Sequence, residues 1–252
     1  MDAIVFASFV PHTQGMLIIE EMFNIYRQYF ADCDIYVGIN GNPCPEYLTY
    51  LDNLKSELNI IYAITPKDLE IPSDVSAYQT ALKLLRDSKK EYNYIWFGHT
   101  KGMTNNTSHW RKQFVTDFFP KRPEITNNLE ASQAGSYSLY LTKYKGKTSF
   151  DDRLSDYFNF SKPYFYTYLY LFTFYVLKGK YLHQFLNNCT ESFYTTKLTN
   201  NGSDIYFFER DFPHIVWRLG GYPLYKYWNT TLVIDGGHPE GHYYKDIKTY
   251  YD

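Results

Sequence analysis

The sequence has 252 residues, of which 44% are hydrophobic and 20% aromatic, and its formal net charge at pH 7 is -2. A chain of this length can bury about 70 to 75% of its unfolded surface and form one large domain. The near-neutral charge excludes the polycationic surface typical of nucleic-acid-binding proteins, so we expect no nucleic-acid partner.

Cysteine spacing and hydropathy restrict the class of protein further. The three cysteines, Cys33, Cys44 and Cys189, have unrelated spacings, which predict neither a disulfide framework nor a zinc site. The sequence contains no apolar run of about 18 residues and no N-terminal signal pattern. We therefore expect a cytoplasmic protein without a transmembrane segment.

The first hundred residues alternate between strand and helix patterns. Apolar, β-branched runs ended by Pro, Asn or Gly predict strands at residues 3–10, 34–39 and 59–64. Apolar residues at helical spacing predict helices at residues 16–30, 45–58 and 74–88, the last capped by Ser73. This order predicts an α/β fold: one Rossmann-like domain with a mostly parallel central sheet flanked by helices. No G-x-G-x-x-G motif follows the first strand, which argues against a dinucleotide dehydrogenase.

The stretch at residues 92–102, YNYIWFGHTKG, combines a buried strand with a polar end. Its apolar residues predict the central strand of the sheet. The residues after them are polar or small and can bind an anion at the carboxyl edge, where open α/β sheets bind ligands. The candidate ligand-binding residues here are His99, Thr100, Lys101 and Gly102.

The second half of the chain has a less regular pattern. After a loop we predict a helix at residues 109–119, capped by Ser108, and a strand at residues 136–142. The charged residues 143–156 indicate a surface insertion. A strand at 171–176 and a helix at 180–187 follow. A helix then begins at Ser203 or Asp204 and runs to residue 218, with Pro213 either kinking it or marking its start, and the last strand is predicted at 231–234.

This order of elements, over roughly residues 3 to 225, resembles the GT-A glycosyltransferases. Within that class, HTKG at residues 99–102 followed by Trp110 and Arg111 resembles polysaccharide-building transferases of the rhamnan-synthesis kind. The resemblance implies a single GT-A domain over residues 1–252, with a nucleotide-sugar-binding half at 1–102 and an acceptor-binding half at 103–252. It implies transfer of a sugar from a nucleotide-sugar donor to a glycan or glycoconjugate acceptor.

The metal requirement is open, because the sequence departs from the GT-A pattern. GT-A enzymes commonly hold Mn²⁺ or Mg²⁺ with an Asp-x-Asp at the end of the central strand, and this chain has His-Thr-Lys there. Lys101 can neutralise a diphosphate directly, and Gly102 allows the backbone to approach it. His238 and His242, near the C-terminus, are candidate metal ligands, with a solvated tail as the alternative.

The resemblance also implies the donor and acceptor contacts. Donor contacts are expected after the first and second strands, at the start of the third helix and beside HTKG; acceptor contacts are expected from aromatic residues. The further donor candidates are Pro11, His12, Thr13, Asn40, Asp74, Tyr78 and Arg111, and the acceptor candidates are Trp110, Tyr170 and Phe207.

Several of these residues have a purely structural alternative. Lys101 could be an ordinary loop lysine, and His99 could satisfy a hydrogen bond at the strand edge. Asp74 is favoured at a helix N-terminus by the macrodipole alone. Trp110 could belong to the core, and Arg111 could form a surface ion pair.

Glu209 and Asp211 are the candidate catalytic bases, because the late helix of the acceptor half carries this group in similar transferases. An inverting transfer needs a carboxylate that removes the proton of the acceptor hydroxyl. The alternatives are a surface ion pair of Glu209 with Arg210 or Lys226, and a retaining mechanism. A catalytically inactive carbohydrate-binding or scaffold domain of the same fold is the alternative function.

Overall fold

A computed structural model describes residues 1–71, 74–100, 108–149, 165–170, 173–197, 207–219 and 223–229. Over these residues the protein is an α/β structure, with one eight-stranded sheet covered by helices on both faces. The strands are β1 (Ala3–Ser8), β2 (Asp34–Ile39), β3 (Asn59–Ile64), β4 (Tyr94–His99), β5 (Ser136–Ser149), β6 (Phe165–Tyr170), β7 (Tyr175–Lys178) and β8 (Pro223–Asn229). The helices are α1 (Met16–Tyr29), α2 (Pro45–Leu54), α3 (Val75–Ser88), α4 (Ser108–Asp117), α5 (Arg122–Ser132), α6 (Gly179–Asn188), α7 (Ser192–Thr195) and α8 (Phe207–Arg218).

The first four strands form the parallel half of the sheet, in the order β3-β2-β1-β4. Ala3 pairs with Asp34 on one side and with Ile95 on the other. The β-α-β succession predicted from the sequence is therefore confirmed. Helix α2 is shorter than predicted, because a turn of residues 55–58 follows Leu54 before β3 begins.

The remaining strands form the mixed half. Strand β7 runs antiparallel to β4 and to β5, while β5 also pairs antiparallel with β6 and parallel with β8. Parallel pairing still predominates in the sheet as a whole, as predicted. Strand β5 continues to Ser149, so the first part of the expected surface insertion is strand. No helix in the described part of the chain is long and apolar enough to span a membrane.

Several elements of the mixed half differ from the sequence predictions. The strand predicted at 171–176 is confirmed only at its end, because β7 begins at Tyr175; residues 171 and 172 lie outside the described part of the chain. Helices α5 and α7 and strands β6 and β8 were not predicted. Of the two alternatives for Pro213, the structure has the one in which it lies inside the helix, α8. The strand predicted at 231–234 lies outside the described residues.

Each face of the sheet is covered by its own apolar cluster. One cluster contains the buried side chains of α3, α6, α7 and α8, and the other contains those of α1, α2, α4 and α5. Close packing against α3 requires Gly38 in β2, since a Cβ atom there would lie 1.8 Å from the carbonyl oxygen of Ala77. This contact holds the start of α3 near the carboxyl ends of the strands.

Candidate functional site

The candidate site lies at the carboxyl edge of the parallel half, between β1 and β4. Strand β1 pairs with β2 on one side and with β4 on the other, and all three are parallel. The connection that follows β1 leads to its neighbour β2, whereas the connection that enters β4 comes from β3, at the other end of the parallel half. Because the two connections diverge there, the ends of β1 and β4 flank the crevice in which such sheets bind ligands.

Thr100 joins the two strand ends that flank this crevice. Its backbone N–H donates to the carbonyl oxygen of Ala7 at 3.2 Å, and its Oγ1 accepts from the backbone N–H of Phe9 at 3.1 Å. A hydroxyl at this position therefore satisfies a backbone donor that has left the β1 ladder. The two bonds hold the residue after β4 against the end of β1.

His99 and Asp74 form a pair at the same edge. His99 Nδ1 lies 3.0 Å from Asp74 Oδ2, and their side chains are 12% and 28% exposed. Asp74 is the N-cap residue of α3, yet its side chain makes no capping hydrogen bond. Its carboxylate lies where the helix dipole favours negative charge, and it orients the His99 ring. The centroid of that ring lies 4.9 Å from the centroid of the Phe174 ring. Both residues were predicted from the sequence as donor contacts, but their pairing was not predicted.

The turn after β1 presents exposed residues at this edge. Pro11, His12 and Thr13 are exposed, and His12 precedes a short 3₁₀ turn, with its carbonyl accepting from Gly15 N–H at 3.0 Å. This segment is accessible to a ligand in the crevice.

Asn40, at the end of β2, is buried and engaged in the structure. Its Nδ2 donates to the carbonyl oxygen of Ile71 at 2.8 Å, and its Oδ1 accepts from Ser76 Oγ at 3.3 Å. These bonds join the end of β2 to the start of α3. They explain why a buried amide occurs at this position without requiring a ligand.

Tyr78 lies in the core beneath the site. Its hydroxyl is 2.9 Å from the carbonyl oxygen of Gly98 and 3.2 Å from that of Thr173, and its burial raises its pKa well above the ordinary value. Its ring lies 4.8 Å from the ring of Phe208. Tyr78 is therefore enclosed, which contradicts a direct donor contact in this conformation, and it joins the end of β4 to the start of α8.

Arg111, in α4, forms an ion pair with Glu21 of α1. Nε lies 2.6 Å from Glu21 Oε2, and the arginine side chain is only 9% exposed. A surface ion pair was the alternative to a donor contact; the pair exists, but its arginine side chain is buried. Trp110 precedes it in the first turn of α4.

Two of the predicted acceptor contacts belong to the core. The Tyr170 hydroxyl bonds with Ser136 Oγ at 2.9 Å and with the carbonyl oxygen of Leu224 at 3.0 Å, and the residue is fully buried. Phe207 is 1% exposed and packs on Phe208. An acceptor could reach either side chain only if the core opened, so direct contact by these two residues is corrected to a packing role.

Glu209 and Asp211 lie in the first half of α8. The preceding residue, Phe208, has its carbonyl oxygen bonded by the Tyr175 hydroxyl at 2.9 Å and its ring against Tyr78. Because Tyr78 also contacts the carbonyl of Gly98, the beginning of α8 packs beside the end of β4. The backbone thus brings the candidate base segment to the edge of the sheet that carries His99.

A divalent metal does not fit the described side chains at this edge. Asp74 and His99 supply metal-compatible atoms, but they bond to each other, and no group of three His, Cys, Asp or Glu residues that could hold a metal occurs among the described residues. The remaining candidates, Lys101, Gly102, His238 and His242, lie outside the described part of the chain.

Three residues that support the site were missed at the sequence level. Phe9 donates to Thr100, Glu21 pairs with Arg111, and a Cβ atom at Gly98 would lie 2.8 Å from the Tyr26 hydroxyl. Of the three, only Gly98 could have been identified from the sequence, because a glycine inside a strand indicates close approach by another group. The other two contacts join residues about 90 positions apart.

Neither a protein-family model nor a curated protein matches the sequence. Among solved structures, the fold is similar to S. aureus TarS 1-349, with 11% identity and a TM-score of 0.47 over 91% of this chain; the match spans 60% of that chain. It is also similar to 4-diphosphocytidyl-2C-methyl-D-erythritol synthase from Anaerococcus prevotii DSM 20548, with 14% identity and a TM-score of 0.40 over 83% of this chain and 82% of that one. Structural similarities at these levels of identity and TM-score give no information about activity. The fold is assigned from the strand order of this chain.

Proposed function

We propose that the protein is a glycosyltransferase that moves a sugar from a nucleotide-sugar donor to a glycan or glycoconjugate acceptor. The observation that carries this proposal is the polar cluster formed by Thr100 and the His99–Asp74 pair at the carboxyl ends of β1 and β4. Sheets of this topology bind nucleotides at that position. The resemblance of HTKG and the following Trp-Arg pair to polysaccharide-building transferases supplies the sugar chemistry.

The donor binds to the half formed by residues 1–102. Its diphosphate lies against residues 99–102, where Lys101 neutralises the charge and Gly102 permits close backbone approach. The nucleoside lies along the exposed turn of residues 11–13. One carboxylate oxygen of Asp74 pairs with His99, and the other can accept a hydrogen bond from a hydroxyl group of the nucleotide sugar.

The transfer inverts the anomeric centre. Glu209, or Asp211 in its place, removes the proton of the acceptor hydroxyl as its oxygen attacks the anomeric carbon from the face opposite the diphosphate. The bond from that carbon to the diphosphate oxygen breaks, and the nucleoside diphosphate leaves with the bonding electron pair. The packing of Phe208 beside Tyr78 supports this assignment, because it keeps the start of α8 near the end of β4. Trp110 is the proposed platform for the acceptor sugar in residues 103–252.

Calorimetry with uridine, guanosine, cytidine and thymidine diphosphates tests the donor site. We expect the wild-type protein to bind at least one of them, and Lys101→Ala to weaken that binding by about 1.5 to 3 kcal/mol, or roughly 10- to 150-fold, since a charge-assisted contact is lost. Lys121→Ala is the matched control, because Lys121 is an exposed lysine at the start of α5.

An unchanged dissociation constant in Lys101→Ala would exclude the phosphate role of this lysine. Failure of the wild-type protein to bind any of the four nucleotides, together with no release of nucleoside diphosphate from nucleotide sugars, would favour the inactive scaffold. Repeating the titrations with Mn²⁺, Mg²⁺ or a chelator decides whether a metal contributes to donor affinity.

A further inference from the structure

A second cleft opens at the amino edge of the sheet, where β4 begins. Its volume is about 1100 Å³; the segment entering β4 forms its floor, and α5 and α6 form its walls. We call it the amino-edge cleft and define it by Tyr94, Asn127, Glu130, His183, Gln184 and Asn187. Strand β4 runs from Tyr94 to His99, so at about 3.3 Å per residue the cleft lies roughly 17 Å from the crevice described above.

Glu130 provides an oriented acceptor on the α5 wall. One carboxylate oxygen accepts from the Tyr94 hydroxyl and the other from Lys178 Nζ at 3.2 Å. These two bonds hold the pKa of Glu130 below its usual range, so the group is ionised. A carboxylate offers about four acceptor positions, so this one retains capacity for ligand hydroxyls, and its side chain is 66% exposed.

His183 provides an oriented donor on the α6 wall. Its Nε2 accepts from the backbone N–H of Tyr92 at 3.1 Å, and the two rings stack with an interplanar angle of 15°. Burial lowers the pKa of His183, which favours the neutral ring that this hydrogen bond requires. The neutral ring then carries its hydrogen on Nδ1, where it can donate to a ligand oxygen.

The remaining lining is rich in amides and balanced in charge. Five amide side chains line the cleft, each with two donors and two acceptor sites, and the two glutamates there are matched by two lysines. A lining with this composition offers no net charge to an ionic ligand and many partners to a ligand whose groups both donate and accept. Hydroxyl groups have that property.

We propose that the amino-edge cleft binds a neutral oligosaccharide. The volume exceeds what a single sugar ring needs and lies slightly above the roughly 300 to 1,000 Å³ of typical small-molecule sites, so several rings fit. This binding does not depend on the transferase activity proposed above. If both sites are active, a glycan held at the amino edge raises the effective concentration of its free end near the molecule.

A glycan array of neutral oligosaccharides and their acidic counterparts tests the proposal, followed by calorimetry on the tightest neutral ligand. The test variant is Asn127→Ala/Gln184→Ala, which removes one exposed amide from each wall. The matched control is Gln28→Ala/Asn53→Ala, an exposed amide pair on α1 and α2 outside the cleft. We expect roughly tenfold weaker binding in the test variant, from two lost hydrogen bonds, and no change in the control.

Thermal unfolding verifies that each variant is folded. If the double variant unfolds, the exposed Asn187→Ala single variant provides the same measurement. Binding of no neutral oligosaccharide, binding of acidic ones alone, or equal affinity of the wild-type protein and the cleft variant would each overturn the proposal. None of these outcomes alters the nucleotide titrations, so the two sites fail or succeed independently.

Discussion

Asp34 and Asp74, at opposite edges of the parallel half, have different surroundings. At the amino edge, Asp34 is 4% exposed and accepts hydrogen bonds from Lys90, Tyr92 and Asn59. At the carboxyl edge, Asp74 is 28% exposed and pairs with His99. A buried carboxylate with several donors stabilises the fold and has little capacity left, whereas a partly exposed carboxylate beside a crevice can still accept a ligand.

The amino-edge carboxylate shows why burial need not suppress ionisation. Burial of Asp34 raises its pKa, but the hydrogen bonds from Lys90, Tyr92 and Asn59 outweigh that effect, and its pKa lies below the usual value. Tyr92 extends the network to the Tyr36 hydroxyl at 2.5 Å. The network holds together the starts of β2 and β3 and the segment that enters β4. We therefore expect the amino-edge network to govern stability and the carboxyl edge to govern activity.

The largest expected effect on activity is at α8. Glu209→Gln keeps the shape of the side chain but removes its basicity, so we expect the transfer rate to fall about 10²- to 10⁴-fold with unchanged nucleotide affinity. The measurement is steady-state release of nucleoside diphosphate in the presence of acceptor. Glu124→Gln is the matched control, because Glu124 occupies the same third position, in α5.

Two results would reassign the base. Normal turnover in Glu209→Gln with loss of turnover in Asp211→Asn would move the role to Asp211. Normal turnover in both variants would exclude a carboxylate of α8 as the base and, with it, the inverting assignment made for this helix. Either result would leave the contrast between the two edges intact, since neither substitution touches the Asp34 network.

The next largest effect concerns stability. Asp34→Ala removes the buried acceptor that the Tyr92 hydroxyl and the Asn59 amide share, and we expect a loss of about 2 to 3 kcal/mol in the free energy of unfolding by urea. Lys90 adds little to this loss, because its half-exposed ammonium returns to water. Nucleotide affinity should not change. Asp52 is the matched control, since it accepts from Lys55 at 2.8 Å and from the Tyr62 hydroxyl at 2.9 Å but is 56% exposed.

Asp52→Ala should cost much less stability than Asp34→Ala, and equal losses would show that burial does not distinguish the two clusters. The pH dependence gives a second measurement. The depressed pKa of Asp34 stabilises the folded state above about pH 4, the ordinary value for aspartate, and that contribution is lost as the pH falls through the folded-state pKa. The difference between wild-type and Asp34→Ala should therefore shrink as the solution is acidified.

The parallel half could be predicted from the sequence because short local patterns specify its strands and helices. Each strand is a short apolar run with a turn residue after it, and each helix has a repeated apolar face, so the β-α-β order follows directly. The position of the candidate crevice follows as well, because the carboxyl ends of parallel strands meet at one edge. The expected polar end of β4 at His99 and Thr100 lies there.

The mixed half was less predictable because long-range contacts decide it. The aromatic residues around 164–177 show no period that separates two strands, and the break between β6 and β7 depends on pairing with β5. Helix α5 buries only Ile125 and Leu129, which is too sparse an apolar face to identify. The roles of Tyr78, Tyr170 and Arg111 were uncertain for the same reason, since their partners lie far away in the sequence.

The smallest expected effect comes from the pair at the carboxyl edge. Asp74→Asn removes the charge that orients His99, and because the pair is partly exposed we expect only about two- to fivefold weaker nucleotide binding. The urea midpoint should stay unchanged. A double-mutant cycle with His99→Ala separates a positioning role from an independent one: if Asp74 acts through His99, its substitution has no further effect in the His99→Ala background. Additive losses would show that Asp74 contacts the donor itself, and a loss of stability without a change in affinity would make this pair structural, like the amino-edge network.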